Sequence, residues 1–278
     1  MKGHGMREQA RKEGRNALAE AVRLRDRDTL RMVEDAVSHK QVMLAYQPVV
    51  QARRPDRMAF YEGLIRVLDE TGRVIPAADF ITTIEDTETG RQIDRLALEK
   101  GLQALTRTPS LRLAINMSAR SIGYRPWMRT LERGLKADPT VGERLILEIS
   151  EGSAMLVPEI VVGFMSDLQK CGIAFALDDF GAGLTALRHF KQFQFDILKI
   201  DGQFIRDIHR DPDNQVLTQA ILSIAQQFDM FTVAENVENA EDVSVLTAMG
   251  VDCLQGYFFG APTVSPGWLE DHQTRASA

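Results

Sequence analysis

From residue 43 onward the chain alternates between short apolar runs of strand length and longer segments whose apolar residues recur at helical spacing. MLAYQPVV (43–50) and MAFYEGLIRVL (58–68) are rich in β-formers and flank the polar stretch Ala52-Arg53-Arg54-Pro55-Asp56, which suits an antiparallel hairpin. A helical stretch over about 77–108 then precedes LRLAINM (111–117), and a helix over about 125–137 precedes RLILEIS (144–150). Helices near 158–170 and 183–191 lead into IAFALD (173–178) and FDILKID (195–201). Helices near 212–227 and 239–249 lead into FTVAE (231–235) and VDCLQGY (251–257). Apolar strands alternating with helices predict parallel strands covered by helices. Eight strands follow residue 43, the number that closes a (β/α)8 TIM-like barrel, here with one antiparallel strand.

Residues 6–40 read as helix, with Leu18, Val22, Leu30, Val33 and Val37 as its apolar positions. The expected organisation is an N-terminal helical extension over 1–40, a barrel over 41–265 and a tail over 266–278. Residues 1–40 hold ten Lys/Arg against seven Asp/Glu, yet the whole chain carries −6, so no field favours polymeric nucleic acid. Any phosphate ligand must therefore be caught locally. Cys171 and Cys253 are the only cysteines, which suits reduced, buried thiols in a cytoplasmic protein. No signal peptide is evident, and no apolar run approaches the length of a membrane span.

The strand ends carry the chemistry. The third strand runs into Asn116, the fourth into Glu148 and the fifth into Asp178-Asp179. The sixth delivers Lys199 and Asp201, the seventh Glu235 and the eighth Gln255, while Glu62 and Arg66 share one face of the second. Taken singly, each reads more readily as a helix cap or a solvated strand end than as a site residue. Taken together, acids at the last buried positions of successive strands are not what turns require. In a barrel they converge on the carboxyl-terminal mouth, where four or more carboxylates repel unless cations neutralise them. No His or Cys joins them, and an all-oxygen set points to Mg²⁺ or Mn²⁺. Adjacent aspartates make a two-metal arrangement feasible, suited to hydrolysing a phosphoester. Lys199 would orient or activate the attacking water, or neutralise charge developing on phosphate.

Eight segments in order, AYQPVV (45–50), YEGLIR (61–66), NMSAR (116–120), EISE (148–151), DDFGAG (178–183), KID (199–201), AENVE (234–238) and QGYFFGAP (255–262), resemble the EAL-domain cyclic-di-GMP phosphodiesterases. The resemblance implies hydrolysis of cyclic-di-GMP to linear pGpG with two Mg²⁺ or Mn²⁺ ions, a homodimer, and an upstream sensory domain or protein partner. It implies that Glu62, Asn116, Glu148 and Asp178 hold the first metal and Asp178, Asp179 and Glu235 the second. By the same resemblance Lys199 positions water, with Glu235 and Glu238 also in the catalytic set, and Gln255 supports the substrate face. Arg66 contacts the substrate's phosphate or guanine, and Glu151 anchors the loop after the fifth strand.

Five positions depart from that pattern. Gly63 stands where the family usually has Ala, which loses a methyl and is expected to loosen the strand. Ala182, Leu184 and Ala186 replace residues that help order the loop after Asp179, a loop that couples dimerisation to metal binding in the family. Asn236 replaces a glycine, a mild change because Asn tolerates left-handed backbone. The alternative consistent with the altered loop is a weak or silent cyclic-di-GMP receptor or protein-interaction module. A dinucleotide-dependent oxidoreductase is a further rival, since residues 181–186 fit G-x-G-x-x-A with Asp201 downstream. That match leaves the other strand ends unexplained.

Overall fold

A computed structural model describes residues 27–182 and 190–269. Helical residues 27–38 (α1) bury Val33, Ala36 and Val37, then the chain enters β1, Val42–Gln51. β1 pairs antiparallel with β2, Arg54–Leu68, from Val42 opposite Val67 to Val49 opposite Phe60. The hairpin is tighter than the polar stretch predicts: β2 already begins at Arg54, and register shifts after Val49 and Val50 absorb the mismatch. β3, Val74–Pro76, pairs with the far end of β2.

The helix expected across 77–108 is divided. A short turn of helix at Ala77–Asp79 and α2, Ile81–Ile84, precede α3, Glu88–Arg107. The Thr87 side chain starts α3 by accepting a hydrogen bond from the Gly90 amide. β4 (Leu113–Asn116), α4 (Arg125–Ala137), β5 (Leu145–Ser150), α5 (Glu151–Ala154), α6 (Pro158–Gln169) and β6 (Ala174–Phe180) follow. Then come β7 (Ile197–Ile200), α7 (Gly202–Ile205), α8 (Pro212–Gln227), β8 (Phe231–Ala234), α9 (Ala240–Met249) and β9 (Cys253–Gln255). The helices expected over 6–26 and over most of 183–191 lie outside the described residues.

β2, β4, β5, β6, β7, β8 and β9 are parallel neighbours in that order, and β1 closes the ring by pairing antiparallel with both β9 and β2. The result is an eight-stranded TIM-like barrel with a single reversed strand. Its interior holds an apolar layer of Val49, Phe60, Ala114, Ile146, Ala176, Ile197 and Val233, with Cys253 against it. The opposite face of each strand joins the helices in a second, larger core that includes Trp127, Phe164 and Phe175. Pro266 is buried, and Trp268 packs edge-on against Tyr46 and Tyr61, so the start of the expected tail lies against the barrel.

The thiols are less buried than expected. Cys171 is exposed because it falls in the turn between α6 and β6, and Cys253 is half-buried at the lower end of the barrel. Among the described residues no helix is long and apolar enough to cross a membrane.

Candidate active site

Side chains two residues apart on a strand share a face. One step above the apolar layer, each parallel strand therefore points a polar group into the barrel. Phe60 is followed by Glu62, Ala114 by Asn116, Ile146 by Glu148, Ala176 by Asp178, Ile197 by Lys199, Val233 by Glu235 and Cys253 by Gln255. β1 runs the other way, so its polar member, Gln47, lies two residues before Val49. Eight strands thus supply eight polar groups to one layer at the carboxyl-terminal mouth. Asp179 would ordinarily face outward. It adopts φ 55° instead, and the register between β6 and β7 slips between Leu177 and Phe180, which brings its carboxylate beside those of Asp178 and Glu235.

Lys199 is the hub. Its Nζ lies 3.1 Å from Glu62, 3.0 Å from Glu148, 2.9 Å from Asp178 and 2.9 Å from Glu235, and the side chain is 1% exposed. Burial alone would lower its pKa, but the charges of Asp178, Glu148, Glu235 and Glu62 outweigh burial and hold it well above its ordinary value. With its four acidic neighbours unscreened by a metal, Lys199 is therefore held protonated. Burial also works against the Glu62 carboxylate, yet the Lys199 charge and hydrogen bonds from Gln255 (2.6 Å) and Asn116 (2.7 Å) keep its pKa low.

One ammonium does not balance five carboxylates. Burial, then the Glu62 charge, pushes Glu148 well above the usual range. Burial raises Glu235 to about 8 against the pull of Lys199, and burial with the neighbouring Asp178 raises Asp179 to about 6. Among the described residues, Glu148 Oε1 is buried without a hydrogen-bond partner. Carboxylate oxygens of Glu62, Glu148 and Asp178 lie within 4.8 Å of one another, as do those of Asp178, Asp179 and Glu235. Two oxygen triads sharing one aspartate, short of positive charge and with an orphaned buried oxygen, fit a pair of hard divalent cations.

Hydrogen bonds between loops hold the mouth. Glu151, 2% exposed, accepts from the Gly181 amide at 2.8 Å and so ties α5 to the turn after β6. Ser153 accepts from the Ala119 amide, and Asp94 of α3 accepts from the Ser118 amide and the Ser121 hydroxyl. Burial raises Asp94 to about 6 despite those two donors. Above the polar layer lies a cavity of about 590 Å³, bordered by Glu62, Asp94, Asn116, Ser118, Asp179 and Gln255 among others.

The EAL domain family model matches residues 30–262. The chain belongs to the EAL domain family. It is 26% identical over 247 residues to the cyclic di-GMP phosphodiesterase PdeB of Shewanella oneidensis, covering 87% of this chain and 29% of PdeB. It is 31% identical to the signaling protein YkoW of Bacillus subtilis, again over 87% of this chain but 30% of YkoW. The chain thus spans about three-tenths of the length of these curated relatives. The PaMucR phosphodiesterase of Pseudomonas aeruginosa, solved as a c-di-GMP complex, superposes with a TM-score of 0.74 at 26% identity, covering 87% of this chain and 99% of that one.

Of the residues singled out in the sequence of this EAL domain, Glu62, Asn116, Glu148, Asp178, Asp179, Lys199, Glu235 and Gln255 come together. Arg66 sits farther along β2 at the rim, half-buried, where it feels the charges of Glu62 and Asp79. Glu238 does not join them: its exposed carboxylate faces Arg206 at 3.7 Å. Gln47 was missed, although it is buried, accepts from Gln255 and donates to the Gly260 carbonyl. The signal was available, since a reversed first strand places its polar residue before the apolar one. Asp94 was missed because on a helix it reads as an ordinary polar-face residue. The loosening expected at Gly63 is also corrected. A Cβ there would lie 2.8 Å from Ile115 Cδ1, so the missing methyl leaves no void. Asn236 does adopt the left-handed conformation, at φ 55°. Gly183, Leu184, Thr185 and Ala186 lie outside the described residues.

Proposed function

We propose that this EAL domain hydrolyses one 3′,5′ phosphodiester of cyclic-di-GMP to linear pGpG, using two Mg²⁺ or Mn²⁺ ions. The observation that carries the reading is the pair of carboxylate triads at the mouth of the barrel. Glu62, Asn116, Glu148 and Asp178 would hold one ion, and Asp178, Asp179 and Glu235 the other. Bound there, the cations would supply an activated water and neutralise charge on the leaving oxygen.

The protein's own groups have separable tasks. Lys199, kept protonated by its acidic neighbours, donates to the water or to phosphate. Gln255 and Asn116 orient Glu62 from opposite sides. Glu151 fixes the turn that follows Asp179. Arg66 at the rim meets the substrate's phosphate or guanine. The relatives' greater length suits a domain that works as the output of a larger signalling protein, with homodimerisation and an upstream sensory segment as its regulation.

The test is direct. The purified protein is incubated with cyclic-di-GMP and Mn²⁺, with and without EDTA, and products are separated by chromatography. pGpG that disappears with EDTA is the expected result. Binding without turnover would make the chain a receptor, and tight dinucleotide-cofactor binding that ignores chelator would overturn the reading altogether.

A further inference from the structure

We infer that Gly202 and Asn236 form a sterically matched pair that positions Glu235, so that the asparagine makes a glycine obligatory at 202. Glu235 directly follows β8 and Gly202 opens α7 just beyond β7, so the two segments lie side by side at the mouth. An added Cβ at Gly202 would overlap Asn236 Nδ2 and would lie 2.7 Å from Asn236 Cγ and 2.8 Å from its Cβ. Turning the Asn236 side chain relieves the first two overlaps. It cannot relieve the third, because Cβ is fixed to the backbone.

The backbone has little room to give. Asn236 is held at φ 55°, the Val237 amide donates to the Gln255 carbonyl at 3.0 Å, and the Glu235 amide donates to the Ile200 carbonyl at 3.3 Å. On the other side Gly256 passes so near that a Cβ there would overlap the Val237 carbonyl. Residues 235–237 are thus clamped between glycines that follow β7 and β9. A methyl at 202 must displace Asn236, and the next residue back is Glu235, whose carboxylate belongs to the acidic layer. A shift of about an ångström at such a group is enough to cost catalysis severely.

The inference rests on the metal reading above, and its test separates the two. Gly202→Ala, Asn236→Gly and the double variant are compared by Mn²⁺ titration calorimetry, melting temperature in EDTA and turnover of cyclic-di-GMP. Gly202→Ala is expected to lose at least tenfold in Mn²⁺ affinity and in turnover, and to melt lower. Asn236→Gly should stay within about twofold of wild type, and the double variant should recover to that level in all three readouts. Wild-type behaviour of Gly202→Ala, or a double variant as impaired as Gly202→Ala, overturns the pair. Should Gly202→Ala fail to fold, the double variant decides: folding with near-wild-type Mn²⁺ affinity supports the pair, and failure refutes it. If the wild-type protein binds no Mn²⁺, the metal reading falls, while rescue of the melting temperature still reports the coupling.

Discussion

Lys199 satisfies two demands with one side chain. An unpaired buried carboxylate costs several kcal/mol, and here four carboxylates approach a single buried ammonium. Replacing it by methionine keeps the approximate volume but removes the charge and the donors. Lys199→Met is therefore expected to abolish turnover and to lower stability in EDTA by about 3–5 kcal/mol at pH 8. At pH 5 the loss should be smaller, because the acids that lose their cation can take up protons instead. Denaturant melts at the two pH values measure this. An equal loss at both would show that Lys199 supports the site by packing and not by charge.

At the scale of elements, β2, β4 and α3 meet where Ile115 projects outward from the barrel. Its Cδ1 fills the space beside Gly63 of β2, and ideal Cβ positions at Gly63 and at Gly101 of α3 lie 2.8 and 2.9 Å from it. Ile115 thus fills the space that both glycines leave, and overpacking such a contact costs about 1–3 kcal/mol. Gly63→Ala, although it restores the family's usual tripeptide, is expected to lower the melting temperature, and adding Ile115→Val should recover it. A more stable Gly63→Ala would contradict this packing. The same scale explains what the sequence made legible. α4 and α8 were clear because apolar periodicity coincides with proline in the first turn, and in α8 with the Asp211 cap as well. β3, α5 and α7 span three or four residues, too short for any period to register. The acids at the strand tips were legible because the two-residue repeat of a strand converts sequence position into facing. Gln47 escaped because its strand runs backward, and Asp94 because a helix hides a tertiary partner 24 residues away.

Across the whole molecule the barrel concentrates negative charge at one mouth, and that links stability to both protons and cations. The folded protein holds Glu235 at about 8, Asp179 at about 6 and Glu148 well above its ordinary value, whereas unfolded carboxyls titrate near 4. Between about pH 4 and 8 the native state therefore binds more protons than the unfolded state, and stability in EDTA must fall as pH rises through that window. A divalent cation competes for the same oxygens. Its binding releases the protons, so its affinity must grow from pH 6 to 8. Melting curves at pH 6, 7 and 8 should accordingly diverge, falling with pH in EDTA and holding level or rising in Mn²⁺. Calorimetric Mn²⁺ titrations in two buffers of different ionisation enthalpy should show net proton release at pH 7. A pH-independent melting temperature in EDTA, with no protons released on titration, would mean that the carboxylates are already ionised and balanced without the cation. The charge deficit on which the two-metal reading depends would then be absent.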